Sequence, residues 1–223
     1  MPERSAESAA ILFDLDGTLV DTAPDLHRAA CRLCRSLARP EPAFADFRPT
    51  VSRGARAMLA CALPDLSESE RERLIEPFLA LYREDLCRES RLFPGIEAVL
   101  AGLGARGLPW GIVTNKPRFL TEPLLAALPL GGAPAVLFCG DCLPVRKPDP
   151  APVLAACSAL GLNPGLVWFV GDDERDVLAG RAAGCRTAVA GWGYVPEVEI
   201  YRAWGSERVL DRPDQVLALL AGE

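Results

Sequence analysis

Histidine is nearly absent from this chain: His27 is the only one among 223 residues. It falls in a helical pattern after the first apolar run, where packing is sufficient reason for it, and no chemistry is assigned to it. Long apolar runs are missing as well. No segment approaches the length that crosses a bilayer, and the opening residues, MPERSAESAA, lack the charged-then-hydrophobic layout of a secretory signal. A cytoplasmic protein without a membrane partner is the expectation. Excess positive charge is lacking too: the formal charge is −6, and the 24 basic residues are mostly arginine and scattered. Nucleic acid is bound mainly through clustered Lys and Arg, so it is not an expected partner. No internal repeat or low-complexity segment is visible. The eight cysteines are a small fraction of a chain long enough to be held by its own core, so reduced thiols are expected rather than a disulfide framework. Two C-x-x-C pairs, Cys31–Cys34 and Cys139–Cys142, have a spacing compatible with a four-thiolate zinc site. Cys31 and Cys34 lie in a helical pattern, however, where a three-residue step places two small apolar side chains on one face, and packing is the preferred reading.

What the chain does have is hydrophobic residues, half of the total, arranged as extended apolar runs alternating with helical patterns. That alternation is how an α/β sheet with helices on both faces is written. The run AILF precedes DLDG; further strands are predicted in 108–115, 135–141, 166–173 and 185–193, with a short one at 209–211. Helices are predicted over 95–106, 117–128, 150–160 and 174–183, and from about 213 to the C-terminus. Residues 22–93 offer no convincing strand and read as helices separated by proline and polar breaks, so they form a helical insertion after the first strand. Pro94 and Gly95 mark the return to the sheet.

The chemistry-bearing residues sit where these strands end. The first run ends in Asp14 and Asp16, the second in Thr114–Asn115–Lys116, and the fourth in Asp172–Asp173, with Asp176 one helical turn later. Lys147 lies between the third and fourth. Open parallel sheets bind ligands beyond the carboxyl ends of their strands, so these groups are expected to share one crevice. Asp14 and Asp16 repel one another unless a cation lies nearby, and Lys147 can supply it. Carboxylates, a lysine and the Thr114 hydroxyl suit a magnesium ion and a phosphate group, because magnesium prefers oxygen ligands and keeps several waters. Thr114 and Asn115 also suit the start of the following helix. Arg53 and Gly54, in VSRGA, fall on a loop between helices of the insertion, Gly54 permitting a tight turn. Leu74, Phe78, Leu81 and Tyr82 form a stripe at helical spacing that reads as core.

In order and spacing, DLDGTLVDT, VTNK, RKPDP and GDDERD resemble the four motifs of the haloacid dehalogenase superfamily, in particular its phosphatases with a small helical cap after the first motif. The resemblance implies an α/β, Rossmann-like parallel-sheet core from residues 1–21 and 94–223, and a helical cap from residues 22–93. It implies Asp14 as nucleophile, Asp16 as general acid and base, and Lys147 as the charge that orders nucleophile and phosphate. Thr114 and Asn115 would bind phosphate, with Arg53 and Gly54 over the substrate. Asp14, the backbone carbonyl of Asp16 and Asp172 would hold Mg2+. Asp173 stands where relatives have serine, and Asp176 would support Lys147 or a metal-bound water. Haloalkanoate dehalogenases lack the second aspartate, so Asp16 favours phosphoryl chemistry on a small phosphorylated metabolite. Mutases of the β-phosphoglucomutase type share all four motifs and stay open, as does a non-enzymatic phosphometabolite-binding role. TAPDL resembles phosphoglycolate phosphatases, whereas VSRGARAM, WGIVTNKP and FVGDDERDVLAGRAAGCRTAVAGWGYV look most similar to bacterial N-acetylmuramic acid 6-phosphate phosphatases. The oligomeric state is not specified by these patterns.

Overall fold

A computed structural model describes residues 9–195 and 198–220. The elements in chain order are β1 (Ala10–Phe13), β2 (Val20–Asp21), α1 (Ala23–Ser36), α2 (Phe44–Phe47), α3 (Ala55–Ala62), α4 (Glu68–Arg73), α5 (Ile75–Glu84), β3 (Arg91–Leu92), α6 (Ile96–Ala105), β4 (Trp110–Val113), α7 (Arg118–Ala126), β5 (Val136–Phe138), α8 (Ala151–Leu160), β6 (Val167–Gly171), α9 (Glu174–Ala182), β7 (Arg186–Ala190), α10 (Val198–Arg202) and β8 (Arg208–Leu210). Six strands form one sheet in the order β5-β4-β1-β6-β7-β8, with every neighbouring pair parallel.

β1 lies at the centre because nothing in AILF needs water. All four residues are fully buried, and alternate side chains feed opposite faces. Ile11 and Phe13 join the larger core with Trp110, Ile112, Trp168 and Val170; Ala10 and Leu12 join a second core with Val113, Val153, Val167 and Phe169. In register, Ile11 stands between Trp110 of β4 and Trp168 of β6. The parallel α/β fold class read from the sequence is the fold observed. The sequence places β1, β4, β5, β6, β7 and β8 but overextends the longer runs, because the residues beyond each end belong to the loops that carry the site. From Pro213 to Leu220 the expected C-terminal helix is a 3₁₀ helix, and α10 was not expected.

The expectation that residues 22–93 contain no strand needs correction. β3 pairs antiparallel with β2, Val20 opposite Leu92 and Asp21 opposite Arg91. Two residues per strand carry too little pattern to be read from sequence. The chain therefore leaves and re-enters the sheet through one narrow ribbon, and α1 to α5 lie between its two strands. Those helices bury Leu26, Leu33, Phe47, Leu59, Phe78 and Tyr82 in the larger core, and α1 packs on α5.

Asp25 fixes the returning chain. It is buried; its Oδ2 accepts the Ser90 N–H (2.9 Å) and hydroxyl (2.6 Å), while its Oδ1 accepts the Glu89 N–H (2.9 Å) and pairs with Arg28 at 2.6 Å. Burial works against its charge, but the Ser90, Glu89 and Arg28 donors outweigh it and hold the carboxyl below its ordinary value. Its stabilising contribution is thus present above the ordinary carboxyl range and is lost as pH falls through the depressed value. Asp25→Ala is expected to cost about 1–3 kcal/mol for each buried donor left unpaired, read as a lower midpoint in urea unfolding at neutral pH. A midpoint equal to wild type would show that the ribbon does not depend on this anchor.

Candidate active site

The loop after β1 is built to aim two acids at once. Asp14 N–H continues the β1–β6 ladder onto Val170 O at 2.9 Å, and the Leu15 carbonyl then collects N–H groups from Thr18, Leu19 and Val20. Gly17 makes the turn at φ +87°, and a Cβ there would lie 2.1 Å from Asp172 Oδ2, so no larger residue fits. Asp14 and Asp16 both face a crevice of about 830 Å³ lined by residues of the strand ends and of the inserted helices.

Each of the two acids has its own lysine. Lys147 Nζ donates to Asp14 Oδ1 at 2.7 Å, meets Asp176 Oδ1 at 2.7 Å and donates to the Val113 carbonyl at 2.8 Å. Lys116 Nζ donates to Asp16 at 3.0 and 3.3 Å and contacts the Tyr82 hydroxyl at 3.2 Å. Thr22 Oγ1 adds a 2.6 Å bond to Asp16. Both lysines are buried. Burial favours the neutral amine, but Asp14 and Asp176 around Lys147, and Asp16 and Tyr82 around Lys116, override it and raise both ammonium pKa values. Burial also pushes the Tyr82 phenol up to about 12, so it stays protonated. The sequence reading placed Lys116 at its strand end without giving it a role, and read Tyr82 only as core. The stripe that read as core is core at Phe78, but Tyr82 also lines the crevice.

Asp172, Asp14 and Asp176 offer carboxylate oxygens all within 4.8 Å of one another, and all three residues are buried. Asp172 has no lysine partner. Its donors are Thr18 Oγ1 on Oδ1 at 3.1 Å, with Ser52 Oγ and Tyr194 N–H on Oδ2 at 2.7 and 2.9 Å. Burial, then Asp14 and Asp176, raise its pKa well above the ordinary value against those hydrogen bonds. Asp16 directs its side chain to Lys116 and Thr22; its carbonyl accepts from Ser52 Oγ at 3.4 Å. An all-oxygen set of this kind suits a hard divalent cation.

The remaining sequence candidates have visible partners. Asp173 caps α9, accepting from Arg175 N–H at 3.0 Å and pairing with Arg175 Nε at 2.7 Å, while Asp176 Oδ2 accepts the Asp173 N–H at 3.1 Å. GDDERD is therefore a capped helix start whose Asp176 is buried rather than solvated. Thr114 Oγ1 accepts Lys116 N–H at 3.2 Å. The Asn115 amide clasps the Lys147 backbone at both ends, Nδ2 on its carbonyl at 2.9 Å and Oδ1 on its N–H at 3.0 Å. Neither caps the next helix, since Pro117 occupies the capping position of α7.

The insertion reaches the same crevice through the 3₁₀ stretch Arg48–Arg53. Arg175 grips it from α9, one guanidinium nitrogen on the Ser52 carbonyl and another on the Arg53 carbonyl. Arg48 lies 4.6 Å from the centre of the Tyr194 ring. The exposed Arg53 side chain lines the crevice. Gly54 takes φ +84° as a turn requires, with open space where a Cβ would lie. The Tyr194 hydroxyl accepts the N–H groups of Thr22 (2.7 Å) and Ala23 (2.9 Å) and donates to Asp21 (2.6 Å), tying the loop after β7 to the start of α1.

His27 sits edge-on to Phe44 and Phe47, as packing requires. All eight cysteines are free. The four-thiolate arrangement does not form: among the described residues, Cys139 and Cys142 group with Asp141, and Cys31 and Cys34 join no metal-competent group.

An ionised Asp172 is the form that burial and its acidic neighbours oppose in the metal-free protein. Because its folded pKa is raised, its contribution to stability is present at acid pH and is lost as pH rises through the raised value. Asp172→Asn is therefore expected to have a higher melting temperature than wild type in chelator at about pH 8, by about 2–4 °C per kcal/mol relieved. The gap should narrow on acidification, when wild-type Asp172 takes up its proton. A gap independent of pH would count against Asp172 as the strained charge.

Comparison with known proteins agrees with this geometry. The family model for haloacid dehalogenase-like hydrolases matches residues 9–184. A phosphoglycolate phosphatase of Xanthomonas campestris is 42% identical over 207 residues, 93% of this chain and 94% of that protein. An N-acetylmuramic acid 6-phosphate phosphatase of Pseudomonas aeruginosa is 41% identical over 212 residues, 95% of this chain and 94% of that one. Among solved structures, a predicted phosphoglycolate phosphatase from Haemophilus somnus superposes with TM-score 0.84 at 30% identity, covering 95% of this chain and 97% of its own. CbbY from Rhodobacter sphaeroides, solved in complex with phosphate, gives TM-score 0.73 at 26% identity, covering 96% and 99%. Strand order, the acids at the strand ends and these matches have one reading: the chain belongs to the haloacid dehalogenase-like hydrolases.

Proposed function

We propose that the protein is a magnesium-dependent phosphomonoesterase that works through an aspartyl phosphate on Asp14. The observation that carries this reading is the pairing of each acid with its own buried lysine at one crevice, Asp14 with Lys147 and Asp16 with Lys116. Asp14 attacks phosphorus with one lone pair of a carboxylate oxygen while Lys147, bound to Oδ1, holds its orientation. Asp16 donates a proton to the departing alcohol oxygen. As a carboxylate steadied by Lys116 and Thr22, it then takes a proton from the water that hydrolyses the aspartyl phosphate. Thr114, Asn115 and Lys147 receive the phosphoryl oxygens. Asp14, the Asp16 carbonyl and Asp172 are the proposed magnesium ligands, with Asp176 holding Lys147 and Asp173 capping α9. Bound there, magnesium would offset the repulsion between Asp14 and an anionic substrate.

Residues 22–93 act in this reading as a cap over the crevice, excluding bulk water during turnover. The crevice holds about 830 Å³ and is lined by Arg53, Arg56 and Arg146 as well as by Met58, Ile75 and Leu79. That space far exceeds a two-carbon phosphate ester, and its mixture of cationic and apolar lining suits a carboxylated amino-sugar phosphate. N-acetylmuramic acid 6-phosphate is accordingly the leading substrate and 2-phosphoglycolate the second, in line with the names carried by the relatives from Pseudomonas and Xanthomonas.

Three measurements test this. Asp14→Asn is expected to fold and to lose roughly 10⁴-fold or more in kcat, measured as magnesium-supported phosphate release; full activity in that variant would overturn the mechanism. Side-by-side kcat/KM values on the two substrates should favour the amino sugar, and the reverse order would reassign the pocket. Arg53→Ala should raise KM for the carboxylated substrate by about 10–100-fold, the loss of one charge-assisted hydrogen bond, with little change for p-nitrophenyl phosphate.

A further inference from the structure

The second C-x-x-C pair forms an organised sulfur site beside residues 114–116, the phosphate loop of the function proposed above, on which its coupling to phosphate binding rests. After β5, Cys139-Gly140-Asp141-Cys142 closes a turn in which Cys142 N–H donates to the Cys139 carbonyl at 3.0 Å. The two sulfurs and an Asp141 carboxylate oxygen lie within 4.8 Å of one another. Their surroundings differ. Cys142 is partly exposed, and its sulfur accepts the Cys139 N–H at 3.1 Å and an Arg118 guanidinium N–H at 3.0 Å. Cys139 is 4% exposed, and burial pushes its thiol up to about 11. A guanidinium and a backbone amide thus converge on the more accessible of the two sulfurs, and the thiolate is the attacking form of any cysteine.

We infer that Cys142 and Cys139 are a nucleophilic and a resolving thiol, a modification site for small disulfides of the glutathione class. The Cys142 thiolate attacks one sulfur of the oxidised disulfide, forming a mixed disulfide and expelling one small thiolate. Cys139, giving up its proton, then attacks Cys142 Sγ. The second small thiolate leaves, the Cys139–Cys142 bond closes, and the two thiol protons end on the two released small thiols.

The same turn bears on the phosphate loop. Gly140 N–H donates to the Lys116 carbonyl at 2.9 Å, and a Cβ on Gly140 would lie 2.1 Å from the Asn115 carbonyl oxygen, so the two backbones are in direct contact. Drawing the two sulfurs to bonding distance breaks the Arg118–Cys142 hydrogen bond and shifts Gly140 against Asn115, which couples the oxidation state to phosphate binding. Cys157 and Cys185 are a second sulfur pair, 3.6 Å apart, but both are buried in the second core, where a small disulfide has no access.

The test incubates the reduced full-length protein with glutathione disulfide, then alkylates and maps the cysteines by peptide mass spectrometry. Wild type should yield the Cys139–Cys142 disulfide, Cys139→Ser should accumulate glutathione on Cys142, and Cys142→Ser should form neither. Arg118→Ala, which removes the guanidinium beside Cys142 Sγ, should slow alkylation of Cys142 at neutral pH. Oxidised wild type should show a raised KM for p-nitrophenyl phosphate that a thiol reductant reverses, while Cys142→Ser keeps its KM under the same oxidation. Free Cys139 and Cys142 after incubation, or adducts confined to Cys61 and Cys87, would overturn the assignment. A disulfide formed with no change in KM would overturn its coupling to the phosphate loop.

Discussion

Crowded negative charge beyond the carboxyl ends of β1 and β6 is the constraint on which the rest of the structure depends. Asp14, Asp16, Asp172 and Asp173 occupy two neighbouring loops and Asp176 the first turn of α9, and four of the five are buried or lie beside a buried cation. The chain holds only two lysines, and both are spent here. Each reaches in from a separate loop to a separate aspartate. Every other cation is arginine. A lysine carries a compact charge on a flexible stem, which fits between two carboxylates where a planar guanidinium would need a wider fork of acceptors. Arg175 illustrates the contrast at the rim, spreading its donors over Asp173 and two backbone carbonyls of the facing 3₁₀ stretch.

Balancing this charge also organises the seating of the inserted helices. Ser52 Oγ reaches across to Asp172, Tyr194 bridges Asp172 and the start of α1, and Thr22 turns its hydroxyl to Asp16. The acids of the site are thus held partly by residues outside the strands that present them. Displacing the Arg48–Arg53 stretch removes a donor from Asp172 at the same moment as it opens the crevice. The position of the helical segment and the electrostatics of the carboxylate cluster are coupled without any long-range pathway.

The strands were legible because the fold buries them on both faces: AILF and VWFV can be nothing but interior. The acids were legible because they end those runs. Lys147 could be matched to Asp14 from order alone; Lys116 was placed at its strand end but not matched to Asp16, although it is the only other lysine in the chain and that scarcity was the available signal. Tyr82 and Ser52 had no such signal. Tyr82 satisfies a helical stripe and the site together, and Ser52 acquires its partner 120 residues away only through the three-dimensional path of the loop. Asn115 shows the converse: its place at a strand end lining the crevice was legible, whereas its clasp on the Lys147 backbone was not.

The two-residue ribbon has a wider meaning for a fold of this kind. Val20 and Leu92 are ladder partners, so departure from the sheet and return to it occur side by side. A loop whose ends already touch imposes almost no closure penalty that depends on what it contains, since that entropy grows only slowly with length. Segments of different size can replace one another at this doorway while Asp14 keeps its place just beyond β1. Divergence in ligand preference can then proceed by exchange of the intervening helices, with the strand that leads into Asp14 left unaltered.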